Sequence, residues 1–172
     1  LQILAGPGSG KTRVLTSRVA HLVRDSAAPI APERCVVVTF TNRAANEMRA
    51  RLETMIGADR TRRLVLGTFH AVCVRFLRRW GTRLGLDPRF TIADTDDARR
   101  LLRDVDRDAP VDATLAAISR AKAHGWTPDE LRASAQHAPG SPAHTEHLAL
   151  CRTYAAYQQQ LRTSHALDFD DL

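Results

Sequence analysis

The sequence predicts an α/β fold: a parallel sheet with intervening helices, followed by an all-helical block. Three observations carry that prediction. Short apolar or β-branched runs alternate with helix-period segments as far as about residue 90. A glycine-rich turn joins the first apolar run to the first helix. Beyond Phe90 no strong strand pattern remains, and the segment from Asp94 onward reads as a series of helices.

Residues 1–4 read as a strand, the glycine-rich turn follows, and residues 13–23 form an amphipathic helix. Residues 26–32, with Pro29 and Pro32, are a loop before the β-branched strand of residues 35–40. Asn42 is a candidate cap for the next helix, in which Ala45, Met48, Leu52 and Met55 recur at helical spacing until Gly57 ends it. Residues 60–63 read as a basic loop, residues 64–67 as a third strand and residues 68–84 as a helix. Strand and helix alternating in this way imply parallel strands with right-handed crossovers.

In the second half, helices are expected over residues 94–105 and 113–124. Thr127-Pro128-Asp129-Glu130 is a capping box with proline at the first helical position. A longer helix follows residues 139–142, with Leu148, Cys151, Tyr154, Tyr157 and Leu161 on roughly one face.

The bulk composition narrows the function classes. At 172 residues and 44% hydrophobic content, one generous domain, or one with a small appendage, can bury a core. No apolar run approaches the roughly 20 residues of a membrane span. The chain opens inside a strand with no signal segment before it and reads as cut from something longer. Cys35, Cys73 and Cys151 are odd in number and widely spaced, which fits buried thiols in a reducing compartment better than a disulfide framework. Residues 1–90 carry sixteen basic and six acidic side chains, whereas residues 91–172 carry nine and thirteen. A first half at +10 suits a polyanionic partner, by a modest margin over a merely solvated basic surface. All the basic residues except Lys11 and Lys122 are arginines.

The segment Ala5-Gly6-Pro7-Gly8-Ser9-Gly10-Lys11-Thr12 has the composition of a phosphate cradle. Backbone N–H groups approach a phosphate chain closely only where side chains are absent, so Gly8 and Gly10 suit a loop wrapped around an anion. The helix behind it adds unpaired N–H groups and the positive end of its dipole. Lys11 would reach the outer phosphates, and the Thr12 hydroxyl would ligate a bridging magnesium ion. Ala5 replaces the first glycine of G-x-x-x-x-G-K-[ST], and Pro7 gives up one N–H early in the loop; both changes are tolerable there. A nucleotide motor also needs an aspartate at a strand end to hold magnesium. Asp94 and Asp168 are the two places to look, but neither follows a strong strand, and Asp168 with Asp171 reads better as a helix N-cap. The magnesium carboxylate is expected beyond residue 172.

Four blocks resemble, in order, the UvrD/PcrA/Rep group of superfamily 1 DNA helicases. Ala5 to Thr12 with Arg13-Val14-Leu15 looks like the first motif. Residues 39–49 match the T-F-T-N-K-A-A-x-E-M-R block, with Arg43 at the lysine position. Gly67-Thr68-Phe69-His70 resembles the T-F-H block, and residues 167–172 match the L-D-F-D-D-L segment. The resemblance implies a RecA-like motor domain over residues 1–90, an inserted helical subdomain over 91–165, and a return to the motor domain over 166–172. It implies ATP and Mg2+, with Ala5 to Arg13 at the nucleotide and Lys11 and Thr12 in the catalytic centre. Thr39, Phe40, Asn42, Arg43, Thr68 and His70 would touch single-stranded DNA, Phe40 by stacking on a base. The implied activity is an ATP-dependent helicase or translocase acting on single-stranded and duplex DNA, moving 3′ to 5′ in repair, replication or recombination. A second RecA-like domain in the missing part of the chain would complete it, so this piece alone is expected not to turn ATP over. Its compartment would be the cytoplasm of a bacterium or the nucleus of a eukaryote.

Other readings stand beside these. A non-motor P-loop NTPase or small-molecule kinase would share the cradle, and a nuclease-fused helicase of the recombination type would share the motor blocks. Phe40 could be core. His70 and Cys73 are three apart on a helix, which fits a buried thiol better than a metal pair. Arg75, Arg78, Arg79 and Arg83 form a basic face that either tracks phosphates or is solvated. His137, His144 and His147 have only loose metal-ligand spacing.

Overall fold

The computed structural model describes every residue except Leu1, Ile3, Ala5, Pro7, Gln136 and His137. The described residues form a mixed α/β fold with two short parallel sheets, and the chain divides into two compact units, Leu1–Arg75 and Phe76–Leu172. The strand expected over residues 1–4 lies partly outside the described residues, and Gln2 and Leu4 belong to no regular element.

In the first unit, helix α1 (Lys11–Ala20) runs on into a wider π-type turn, His21–Asp25. Strand β1 (Val36–Thr39) is followed by α2 (Asn42–Ile56), α3 (Ala58–Arg63), β2 (Val65–Thr68) and the start of α4 (Phe69–Trp80). As the alternation predicted, β1 and β2 pair in parallel, from Val36 opposite Val65 to Thr39 opposite Thr68. Ala45, Met48, Leu52 and Ile56 form the buried stripe of α2 and meet Val19, Ala20 and Val23, with Val37, Leu64 and Leu66 completing the core. Met55, placed on that stripe by its spacing, is only partly buried. Arg49 crosses to the sheet and donates to the Leu66 carbonyl at 3.1 Å.

Two local expectations need correction. The cap of α2 is Thr41, not Asn42: Thr41 is extended, its hydroxyl accepts the Ala44 N–H at 3.1 Å, and Asn42 is the first helical residue. Residues 60–63 are not a loop but the end of α3. Gly57, at φ 85°, turns the chain so that a second helix starts at once. The fully buried Thr61 donates its hydroxyl to the Gly57 carbonyl at 2.9 Å. The arginines that suggested a loop are the outer face of this helix, where Arg62 lies 3.6 Å from Asp59 and Arg63 pairs with Glu33.

In the second unit, a 3-10 turn (Gly81–Leu84) follows α4, so the helix expected to reach residue 84 ends earlier. Strand β3 (Thr91–Ala93) leads to α5 (Thr95–Val105), α6 (Val111–Ala123), α7 (Pro128–Ala133) and α8 (Pro142–Thr163). Strand β4 (Ala166–Asp168) and a 3-10 turn (Phe169–Asp171) complete it. Beyond Phe90, where the sequence shows no strong strand, the chain thus forms two strands of three residues each. β3 and β4 pair in parallel, with Thr91 opposite Ala166, Ile92 opposite Leu167 and Ala93 opposite Asp168. Strands of three residues are too short to show a period of two. The helices pack around Leu102, Ile118, Leu131, Cys151, Tyr154, Tyr157 and Leu161. Asp94 caps α5 by accepting the Asp96 and Asp97 N–H groups at 2.9 Å, and the Thr127–Glu130 box caps α7 as its sequence requires.

Candidate phosphate loop and nucleic-acid interface

The glycine-rich loop curls onto one of its own carbonyls. The Gly6 oxygen accepts from the Lys11 ammonium at 2.6 Å and from the Ser9 hydroxyl at 2.6 Å. Gly8 (φ 74°) and Gly10 (φ 83°) hold the left-handed conformation that bends the loop into α1, and an added Cβ at either would meet nothing within 4 Å. The first helical bond of α1 runs from the Val14 N–H to the Gly10 carbonyl. Gly10 supplies no side-chain cap, and the first turn holds no acidic residue, so no carboxylate competes for an anion there. Lys11 and Arg13 are exposed and Thr12 is half-buried. This donor set fits a triphosphate with its magnesium ion. Ala5 and Pro7 lie outside the described residues.

The second group gathers at the C-terminal ends of β1 and β2, the end at which α/β sheets hold ligands. Thr39 and Thr68 face each other as Cα partners, and both are half-buried. Phe40 follows Thr39 and is 90% exposed, which excludes it from the core of this unit. Asn42 and Arg43 open α2, exposed, and the Arg43 Nε donates to Glu47 at 3.2 Å, one turn on. Thr68 ends β2 and its hydroxyl accepts the Ala71 N–H at 3.3 Å; His70 is exposed on the first turn of α4. The chain thus brings Thr39, Phe40, Thr68 and His70 to one sheet end. Phe69 joins them: its ring centroid lies 5.5 Å from that of Phe40, with the planes tilted by 47°. Sequence reasoning named the threonine and histidine on either side of Phe69 and missed the aromatic between them, although the matching position of Phe40 was a signal for it.

The basic face of α4 is partly occupied. The Arg78 guanidinium lies 5.8 Å from the Phe90 ring centroid and that of Arg79 lies 5.2 Å from Trp80, both cation–π geometries.

In the second unit the L-D-F-D-D-L segment is tied down by an inward-facing lysine. The Lys122 ammonium, on a side chain 4% exposed, lies 2.8 Å from both Asp168 and Asp171. Asp168 uses both oxygens: Oδ2 accepts from Lys122 and from the Tyr157 hydroxyl at 3.0 Å, and Oδ1 from the Asp170 and Asp171 N–H groups at 3.1 Å. Asp168 is therefore the N-cap its sequence suggested, with Asp171 returning a bond to its N–H. Burial pushes the Asp168 carboxyl up, against the pull of Lys122. Burial also raises the Tyr157 hydroxyl, and pushes that of Tyr154 up to about 12.

Among the described residues no group of three or more His, Cys, Asp or Glu could hold a metal ion. His147 Nε2 is 2.9 Å from the Leu131 carbonyl, and His137 lies outside the described set. Burial raises the Cys35 and Cys151 thiols, and the three cysteines are free. No helix among the described residues is long and apolar enough to cross a membrane.

A phosphate-cradle sequence at a helix start, in an α/β unit whose strand ends carry an exposed aromatic, has its counterpart among known families. The model of the UvrD/REP helicase N-terminal domain matches residues 1–172, and the chain belongs to that family. It is 42% identical to the ATP-dependent DNA helicase PcrA of Leuconostoc citreum, a match covering 100% of this chain and 23% of that protein. It is 38% identical, with the same coverage, to proteins of that name from Staphylococcus epidermidis and Staphylococcus aureus. The chain spans about 23% of the length of these relatives.

Proposed function

We propose that the full-length protein carrying this chain is an ATP-dependent DNA helicase that translocates on single-stranded DNA. The observation that carries this reading is the Phe40 ring, exposed at the end of β1 in a chain that also holds a Gly8–Thr12 cradle. Residues 1–90 would form most of a RecA-like motor domain, residues 91–165 a helical insertion, and residues 166–172 the return. Backbone N–H groups from Gly8 to Thr12 would bind the ATP phosphates, and Lys11 would leave the Gly6 carbonyl for them. Thr12 would ligate Mg2+, which neutralises phosphate charge when bound.

Phe40 would stack on a base, a sequence-independent grip because every base has a π face, while Thr39, Asn42, Arg43, Thr68 and His70 hold the backbone around it. Arg43, carrying a guanidinium, can bind a phosphate oxygen pair as a fork once it leaves Glu47. Nucleotide-driven closure against a second RecA-like domain would move this grip along the strand, 3′ to 5′, on DNA undergoing repair, replication or recombination. The bacterial source of the relatives supports a cytoplasmic setting for the proposed activity.

The test is ATP hydrolysis by the full-length protein with and without single-stranded DNA, compared with Lys11→Ala and Phe40→Ala. The motor reading expects strong stimulation by DNA, loss of turnover in Lys11→Ala, and weakened stimulation in Phe40→Ala. Turnover indifferent to DNA would instead assign the cradle to a non-motor NTPase or kinase.

A further inference from the structure

The contact between Phe40 and Phe69 is not a core contact. Phe40 is 90% exposed and Phe69 48%, so little apolar burial holds the two rings together. Their meeting is imposed by the backbone. Thr39 and Thr68 are register partners, so the residue after each leaves its strand beside the other.

The two rings are not equally fixed. Phe69 begins α4, whose first turn is held by the Thr68 hydroxyl and lies close over the strand end: a Cβ at Gly67 would stand 3.4 Å from the Ala71 Cβ. Phe40 sits in the bend between β1 and α2, 90% exposed, with the Phe69 ring beside it. A surface phenylalanine free to turn must lose that freedom when a base stacks on it. A neighbour at 5.5 Å and 47°, within the range that aromatic pairs prefer, removes part of that loss beforehand.

We propose that Phe69 is a positioning residue for Phe40: its ring holds the Phe40 ring so that the open face of Phe40 meets an unpaired base. The inference rests on the proposed single-strand grip of Phe40. Phe69 acts through Phe40, so its removal matters only while Phe40 is present.

The experiment is a double-mutant cycle on the full-length protein, reading binding of a fluorescent oligothymidylate by anisotropy. Phe69→Ala is expected to weaken binding roughly three- to tenfold, the scale of an aromatic pair. In the Phe40→Ala background it should cost nothing further. Phe69→Leu, which keeps apolar bulk and secures a folded comparison, should lose as much as Phe69→Ala, whereas Phe69→Tyr should restore binding. Nucleotide affinity should stay constant throughout, which a general loosening of the unit would not allow. Equal losses from Phe69→Ala in both backgrounds, or none in either, would overturn the proposal while leaving the Phe40 grip intact. Unchanged binding in Phe40→Ala would show that the grip itself is misassigned, and the role of Phe69 falls with it.

Discussion

The Lys122 ammonium lies 2.8 Å from an Asp168 carboxylate oxygen, on a side chain with 4% of its surface exposed. It reaches from α6 to the end of β4 and pairs with Asp171 at the same distance. Tyr157, Gln158 and three backbone N–H groups supply the remaining donors, so the two carboxylates are satisfied away from bulk water. Removing one partner from such a cluster is costly because the other is left charged and buried.

Lys122→Met is therefore expected to destabilise the chain by about 3–5 kcal/mol near neutral pH. The loss should depend on pH. Burial already places the folded pKa of Asp168 above its ordinary value, and without Lys122 it moves further up. A carboxyl with a raised folded pKa binds its proton more tightly in the folded state, so its contribution falls as pH rises from about 3.9 to that folded value. The gap between variant and wild type should widen over that window in urea titrations. A constant gap would show that Asp168 is not the group left unpaired.

Glu130 has the opposite sign. The Thr127 backbone N–H, followed by its hydroxyl, holds the Glu130 carboxyl below its ordinary value. Its contribution is fully present above the unfolded pKa, about 4.3, and is lost as pH falls through the lowered folded value. Glu130→Gln keeps an acceptor for the Thr127 N–H but no charge. Its unfolding midpoint should vary less than that of wild type across this acid range.

Thr61 offers a test of α3. Thr61→Val preserves shape and removes the hydroxyl that bonds the Gly57 carbonyl, with an expected loss of about 1 kcal/mol in denaturant titrations. Thr61→Ala should lose more, since it also opens a void at a fully buried position. If both variants unfold at the wild-type midpoint, the Gly57–Thr61 bond contributes nothing to the second helix.

In the glycine-rich loop, Gly10→Ala meets no steric obstacle, and its cost is the backbone alone at φ 83°. The expected destabilisation is about 1–2 kcal/mol. Gly6, without a positive φ and with equal space around it, is the control: Gly6→Ala should leave stability unchanged. Equal midpoints for the two variants would mean that the left-handed turn at Gly10 is not required.

The parts that could be read from the sequence were those with a local chemical reason. Gly8 and Gly10 had to turn the loop, Thr127 and Glu130 had to cap a helix, and Ala45, Met48 and Leu52 marked the inner face of α2. What stayed hidden depends on partners distant in the chain. The three-residue strands β3 and β4 show no period and exist only through each other. α3 has a single fully buried residue, Thr61, among arginines that signal a loop. Lys122 left one trace: it is one of two lysines in an arginine-rich chain. A compact ammonium fits a closed slot between two carboxylates better than a planar guanidinium, so its identity carried information that its sequence neighbourhood did not.

The pairing of β3 with β4 makes the helical block between them interchangeable in principle. The block leaves β3 after Ala93 and, because the strands are parallel, must return to Ala166 at the other end of the pair, beside Thr91 at one strand spacing of about 4.8 Å, however much chain runs between. Closing a longer excursion adds only slowly to the entropic cost. An unrelated cassette of helices could be spliced between Ala93 and Ala166, provided that it carries the chain back to the Thr91 end of β3 and supplies one buried cation for Asp168.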